Sequence, residues 1–188
     1  MGRIRIELAA FPEFKREGYH PDTMRLYSKF TELTYRALRL PSMVEFLQEL
    51  ADRLGLSEIE IKVMRMPPRR TRARVVRPPG KRRIIMEELR ALLDKRTGLI
   101  KVYPGLEWPR GMMRPIWRVG LRGFVLNHAL RGVIHEAIHK SGIEGEDGVR
   151  ELTERHYRSF RRAHLESFLQ ELKPLLREWR RFQRELGL

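Results

Sequence analysis

The sequence contains no cysteine, and it is poor in side-chain amides, with one asparagine (Asn127) and three glutamines in 188 residues. The missing cysteines exclude disulfide bonds and cysteine-ligated zinc, so any metal must be held by histidines and carboxylates. Few thermolabile residues beside 34% charged residues are typical of a thermophilic protein.

Long apolar runs are also missing, since no stretch approaches the ~18 residues of a membrane-spanning helix. The first residues, MGRIRI, do not form a signal peptide, and Ile6 stands where a myristoylation signal has Ser or Thr. With 41% hydrophobic residues the chain can build a core. We therefore expect one soluble, cytoplasmic domain spanning residues 1–188.

Acidic residues are scarce relative to basic ones: 24 against 39, of which 31 are arginine, giving a net charge of +15. Residues 65–83 carry nine basic residues and no acid. This stretch favours contact with nucleic-acid phosphates, with Arg69, Arg70, Arg72 and Arg74 as candidate contacts. The alternative is a solvated edge hairpin whose charge prevents strand-on-strand aggregation. No aromatic residue is interleaved, so base stacking is not indicated.

The most specific pattern is His135-Glu136-Ala137-Ile138-His139, which reads H-E-x-x-H inside an apolar helical repeat. Residues four apart lie on one helix face, so His135 and His139 can bind the same metal ion. Glu136 projects beside them as a candidate general base. The alternative is a helix in which two histidines happen to be four apart, but an unpaired histidine pair inside a core is costly.

The motif, with a long helix before it and an acidic helix after it, resembles the zincin metallopeptidases, and within them the gluzincin-like branch with its small archaeal minigluzincins. The resemblance covers roughly residues 58–160. It implies Zn²⁺, peptide-bond hydrolysis by a zinc-bound water that Glu136 activates, and a sheet whose edge strand pairs with extended substrate. Gly145 stands where the metzincin branch has its third histidine, which argues against that branch.

The third metal ligand must come from the residues after the motif, and the candidates are Glu144, Glu146, Asp147, Glu151, Glu154 and His156. A short loop at 143–148 turns the chain back, so the next helix meets the metal within its first two turns. We expect Glu151, which lies nearer the loop, with Glu154 as runner-up. In gluzincins too, a glutamate of the helix after the motif completes the site. The alternative is that Glu151 is a surface acid favoured by the helix dipole.

The expected fold is α+β and zincin-like: a small sheet of three to four strands, the active-site helix, the following glutamate helix, N-terminal helices and a long C-terminal helix. Residues 1–57 hold the first strand and packing helices, 58–160 the zincin-like core, and 161–188 the C-terminal amphipathic helix. The patterns predict strands at 3–8, 58–64, 71–76 and 99–103. They predict helices from about residue 22 to 40, from Ser42 to 54 with Glu45 closing a capping box, at 86–94, and from Trp117 or Val119 to 141, with Gly142 as its stop. Gly120, Gly123 and Gly132 interrupt this long helix, which predicts close packing on another element. The last helix is expected from Asp147 or Gly148 to 182, where Pro174 kinks or breaks the chain.

Two functions compete: a zinc metallopeptidase, latent or DNA-associated, and a basic nucleic-acid-binding protein with a structural or vestigial zinc site. The apolar stripe of the C-terminal helix needs a partner, which would be a homodimer mate or the cleft of the enzyme itself. The Arg-rich opposite face is a solvated surface or a second polyanion site. His128, seven residues before His135, is read as a core or supporting histidine.

Overall fold

The computed structural model describes residues 2–10, 21–65, 73–76, 83–86, 91–104 and 120–187. The strands in these ranges are β1 (Arg3–Leu8), β2 (Glu58–Val63), β3 (Ala73–Val76), β4 (Arg83–Met86), β5 (Ala91–Asp94) and β6 (Leu99–Val102). The helices are α1 (Pro21–Leu38), α2 (Pro41–Arg53), α3 (Leu121–Phe124), a π-helical segment (Val125–Leu130), α4 (Arg131–Lys140), α5 (Glu146–Ala163) and α6 (Leu165–Glu185).

The main sheet has four strands in the order β1-β2-β6-β5. β1, β2 and β6 run parallel, and β5 is antiparallel to β6 and forms one edge. In β2 the apolar residues Ile59, Ile61 and Val63 are buried, while Glu58, Glu60 and Lys62 between them are half-buried. The alternation predicted from the sequence is therefore the alternation of a sheet with one buried face.

A layer of helices supplies the other half of a single hydrophobic core. Helices α1 and α2 contact β1 and β2, and α4 contacts β5 and β6. The ring of Phe30 on α1 lies 5.2 Å from those of Phe124 and Trp179, edge to face in both pairs. Such aromatic contacts add to the burial free energy and fix how the helices meet. The architecture is α+β, as the sequence predicts.

Residues 121–140 form one continuous helix, named here the motif helix, which consists of α3, the π-helical segment and α4. It packs so closely on the edge strand that a Cβ added to Gly132 would lie 2.8 Å from the Cβ of Ala91. The prediction that glycines of this helix allow close packing is confirmed at Gly132. Gly142, with φ 96°, follows the end of the helix as predicted.

Two predictions about the strands are wrong. The helix expected at 86–94 is absent, because residues 83–86 form β4 and residues 91–94 form β5. β3, which was expected in the main sheet, instead pairs with β4 in a separate two-stranded sheet. The apolar stretches 84–86 and 91–93 are too short for periodicity to separate helix from strand, and the ladder with β6 decides for the strand at Ala91–Asp94. The predicted start of the long helix at Trp117 or Val119 lies outside the described residues.

Two predictions about helix ends are also wrong. Ser42 is not the N-cap of α2, because Leu40 is, and the Ser42 hydroxyl donates to Glu171 on α6 at 2.7 Å. The single helix expected from 147 to 182 is divided at His164 into α5 and α6. Of the kink or break predicted at Pro174, the break does not occur, since Pro174 lies inside α6.

The apolar stripe of α6 is covered within the chain, since α6 contacts α1, α2 and α5. Phe168, Leu172, Leu175 and Trp179 are buried there. The homodimer was predicted because the apolar stripe needs a partner. Since helices of the same chain cover the stripe, that reason for a homodimer no longer applies. Among the described helices none is both long and apolar enough to cross a membrane.

Candidate metal centre

The two motif histidines lie on the last two turns of α4, and each exposes about a quarter or less of its side chain. The Nδ1 atom of His139 lies 3.0 Å from the carbonyl oxygen of Ile143. A carbonyl only accepts, so Nδ1 carries the proton and the lone pair of this imidazole is on Nε2. Carbonyls that fix the outer nitrogen of a ligating histidine are a common support of metal sites.

The Nε2 atoms of His135 and His139 converge, at 3.2 Å from each other. Glu146, the first residue of α5, completes the group: one carboxylate oxygen lies 3.4 Å from His139 Nε2 and the other 3.7 Å from His135 Nε2. These three side chains are the metal-capable group found among the described residues. Glu146 is 61% exposed, so the group opens to solvent on that side.

The spacing of these atoms fits a zinc ion. With Zn–N and Zn–O bonds of 2.0–2.2 Å and tetrahedral angles, two ligand atoms lie about 3.3 Å apart. The distances of 3.2, 3.4 and 3.7 Å scatter around that value. The donor set, two imidazoles and a carboxylate, is also one that leaves a fourth position open in catalytic zinc sites.

The electrostatics of the site favour a neutral His135. Burial lowers the pKa of His135 below its usual 6.5, and the charges of His139 and Arg150 lower it further against the opposing pull of Glu136 and Glu146. Neutral imidazole is the form that binds metal. Arg150 lies one helical turn after Glu146, so α5 brings both a carboxylate and a guanidinium towards the histidine pair.

Glu136 is turned towards the edge strand. Its Oε2 accepts a hydrogen bond of 2.9 Å from the backbone N–H of Leu93 in β5. Because the Leu93 N–H donates to Glu136, this N–H faces the outer side of β5, away from the ladder with β6. The hydrogen bond of Glu136, the general base that the motif predicts, therefore joins the motif helix to the sheet edge.

No protein-family model, no curated protein and no solved structure matches this chain. The comparisons assign no family, and the resemblance to zincins remains a prediction from the HExxH motif and the element order.

The structure does not bring the preferred third ligand to the histidines. Glu151 is 76% exposed and pairs with Arg155 at 3.4 Å. The runner-up Glu154 pairs with Arg131 of the motif helix at 3.0 Å. Glu146 takes the place that the sequence assigned to Glu151.

Helix geometry explains the change. α5 begins at Glu146, immediately after the turn, instead of at 147 or 148 as predicted. Five residues of an α-helix correspond to about 500°, so Glu151 lies about 140° around α5 from Glu146. Glu154 is about 12 Å further along the axis. The available sequence signal was proximity to the motif, since Glu146 is the second acid after the stop at Gly142 and follows Glu144 by two residues.

The remaining candidate ligand His156, the predicted supporting histidine His128 and the basic candidates lie elsewhere. His156 is near Arg53 of α2, and burial together with Arg53 and Arg155 lowers its pKa. His128 lies in the π-helical segment, with its ring 5.7 Å from that of Phe124, and is not one of the three convergent ligands. Arg74 is on β3, while Arg69, Arg70 and Arg72 lie outside the described residues.

A polar seam aligns α5 with the motif helix beyond the metal-capable group. The Tyr157 hydroxyl donates to Asn127 Oδ1 at 3.1 Å, and the Arg131 guanidinium lies 4.3 Å from the centre of the Tyr157 ring. Arg131 also pairs with Glu154. These contacts fix the register of two antiparallel helices, and that register sets where Glu146 meets the histidines. Sequence reasoning missed this seam, because its partners are 23 to 30 residues apart.

Proposed function

We propose that the chain is a zinc-dependent hydrolase of peptide bonds, a metallopeptidase. The observation that carries the proposal is the convergence of His135 Nε2, His139 Nε2 and the Glu146 carboxylate at 3.2 to 3.7 Å. The proposal assigns these three side chains as the zinc ligands. A zinc ion bound there would act as a Lewis acid that polarises a carbonyl and lowers the pKa of water.

Glu136 is proposed as the general base. It follows His135 directly, and its carboxylate is close enough to influence the pKa of His135. The Leu93 N–H holds Oε2, which orients the group and leaves Oε1 as the oxygen that can take a proton from the attacking water. The same carboxyl can then return that proton to the departing amine nitrogen.

Substrate is proposed to lie along β5. This strand is an edge of the main sheet, adjacent to the motif helix, and an extended peptide can add to such an edge through main-chain hydrogen bonds. Leu92 is 40% exposed and is the exposed large hydrophobic residue of the described part of the chain. It offers an apolar contact for one substrate side chain. Arg150 is the candidate to stabilise negative charge on the substrate carbonyl.

A structural zinc site is the second candidate. The hydrogen bond from Leu93 to Glu136 favours it, because a carboxylate that fastens a helix to a sheet edge has a packing role without any catalysis. In that case the protein binds zinc but cleaves nothing.

Substitution of the base separates these functions. The variant Glu136→Gln keeps the size and hydrogen-bonding ability of the side chain, so zinc content and folding should be unchanged. Cleavage of a casein substrate by the zinc-loaded protein should fall by about 10²–10⁴-fold. The control Glu144→Gln changes an exposed acid of the neighbouring loop and should cleave at the wild-type rate. Zinc binding without cleavage by the wild-type protein would select the structural site.

A further inference from the structure

Helix α6 carries a row of exposed cations on one face. Residues four and three apart on a helix share a face, and at 100° per residue five basic positions fall within an arc of about 100°. They extend over about 16 Å of helix axis. The five residues, named here the α6 basic face, are Lys173, Arg177, Arg180, Arg181 and Arg184, and all are exposed.

The acidic residues of α6 do not neutralise this face. Glu178, the one acid between Lys173 and Arg184, binds Lys29 at 2.6 Å and Arg36 at 2.8 Å, both on α1. Those two cations lower the pKa of Glu178 and compensate its negative charge. Glu171 likewise accepts from Ser42 on α2. These two acids of α6 are therefore occupied by residues of α1 and α2, and they leave most of the positive charge on the exposed face of α6 uncompensated.

Most of the arginines of the face lack an acidic partner. Arg181 pairs with Glu185 at 3.7 Å. Arg177, Arg180 and Arg184 form no ion pair with any residue that the structure describes. Arg177, Arg180, Arg181 and Arg184 line a common surface cavity of about 860 Å³ together with Glu178, whose charge Lys29 and Arg36 compensate. The guanidinium groups of Arg177, Arg180 and Arg184 are therefore available to bind the oxygens of a polyanion.

The chemistry around the face selects the polyanion. An amphipathic helix that lies in a membrane interface inserts an exposed apolar face, whereas the apolar stripe of α6 is buried in the core and leaves charge alone for membrane contact. Single-stranded nucleic acid requires exposed aromatic rings for stacking, and Trp179 is buried. A straight row of arginines fits the phosphates that border the wide major groove of B-DNA better than those of the narrow groove of A-form RNA.

We propose that the α6 basic face is a docking surface for the phosphate backbone of duplex DNA. Contact is to phosphates and therefore independent of base sequence. The inference does not depend on the zinc site or on hydrolysis, and the surface would serve either candidate function.

Two variants of equal charge test the proposal in the full-length protein. The first is Arg177→Gln/Arg180→Gln/Arg184→Gln on α6, and its control is Arg158→Gln/Arg161→Gln/Arg162→Gln on α5. All six arginines are exposed and form no ion pair with a described residue. Circular dichroism should show that both variants fold, because none of these side chains is buried.

Binding is measured by fluorescence anisotropy with a 25-base-pair DNA duplex between 50 and 200 mM salt. We expect the α6 variant to bind at least roughly tenfold more weakly and to lose about two to three units of the slope of log K against log salt. The α5 control should bind within about threefold of the wild type, through its lower net charge alone.

Three outcomes would overturn the proposal. The first is the absence of binding to duplex DNA at 50 mM salt, and the second is an equal loss in both variants, which would reduce the effect to net charge. The third is tighter binding to an RNA duplex or to phosphatidylglycerol vesicles than to DNA, which would assign the face to another polyanion.

Discussion

At the residue scale, the decisive contact is the one that fixes the tautomer of His139. The Ile143 carbonyl binds the Nδ1 proton, so the opposite nitrogen is free to act as a ligand. The turn that provides this carbonyl also starts α5 at once and places Glu146 beside the imidazoles. One short loop therefore prepares two of the three proposed ligands.

Removal of the Glu146 carboxylate should weaken zinc binding more than removal of any other acid of α5. We expect Glu146→Ala to raise the Kd for zinc by at least about a hundredfold, since substitutions of mere supporting residues already cost 10–100-fold. Competition with a chromogenic chelator measures this Kd.

The matched control is Glu151→Ala, also an exposed acid in the first turns of α5, whose partner is Arg155. It should bind zinc like the wild type. A larger loss in Glu151→Ala than in Glu146→Ala would restore the ligand that the sequence favoured.

A second residue-scale effect is the pH dependence of the metal-free protein. Burial and the neighbouring charges of Arg53 and Arg155 lower the pKa of His156 below 6.5. The unfolded chain therefore binds more protons than the folded chain just below pH 6.5, and stability is lost as pH falls through that window. The melting temperature of the apoprotein should be lower at pH 5.5 than at pH 7.5.

The variant His156→Gln tests the assignment. The fall in melting temperature between these pH values should shrink, without vanishing, because the lowered pKa of His135 acts in the same direction. An unchanged fall in the variant would show that His156 does not contribute.

At the element scale, the approach of the motif helix to β5 determines the geometry of the site. Gly132 touches Ala91, and one turn later Glu136 binds Leu93. A side chain at position 132 would push the helix from the sheet edge and with it the proposed base. The helix and strand therefore depend on each other for their position.

Glycine at position 132 should be more stable than alanine, against helix propensity. In a free helix Ala is better than Gly by about 1 kcal/mol. Here the added Cβ would meet Ala91, so we expect Gly132→Ala to lower the free energy of unfolding by about 1–3 kcal/mol. Urea denaturation measures the change.

Two variants serve as controls. Gly148 lies in α5 with no atom within 4 Å of an added Cβ, so Gly148→Ala should be neutral or stabilising. The double variant Ala91→Gly/Gly132→Ala removes the contact atom and should recover part of the loss. Failure of the double variant to recover any stability would place the cause elsewhere.

At the scale of the whole molecule, the metal-capable group joins two helices, α4 and α5, that also meet through the polar seam and contribute to the same hydrophobic core. Its side chains belong to α4 and α5, so a zinc ion bound there would hold these helices together. A ligand that binds only the folded state stabilises it by mass action.

Zinc should therefore raise the melting temperature of the intact protein, and chelation should lower it. At a free zinc concentration of 1,000 times Kd the stabilisation is about 4 kcal/mol. Differential scanning calorimetry with zinc and with EDTA measures the difference. The variant His139→Ala should melt at the same temperature in both conditions, and an equal zinc effect in that variant would mean that the ion binds elsewhere.

The charge of the molecule is organised at the same scale. Glu178 and Glu171 of α6 are bound by Lys29 and Arg36 of α1 and by Ser42 of α2. The arginines of α6 remain on the surface, so this helix presents positive charge to solvent. Composition predicts a polyanion partner, but the packing of α6 decides which face presents the charge.

The sequence by itself determined the features that depend on local periodicity. Alternation placed β1 and β2, the 3.6-residue repeat placed α1, α2 and the motif helix, and the i, i+4 spacing brought His135 and His139 together. Gly142 ended that helix as predicted. Each of these signals acts over one or two turns of chain and needs no tertiary contact.

The tertiary structure alone decided which distant groups meet. Residues 91–94 became a strand because β6 offered a ladder, and Ser42 turned from a cap to the α6 residue Glu171. Glu146 replaced Glu151 at the histidines because the rotation of α5 depends on where the helix starts and on its seam with the motif helix. Such choices are made by the free energy of packing between elements, which the pattern within one element does not encode.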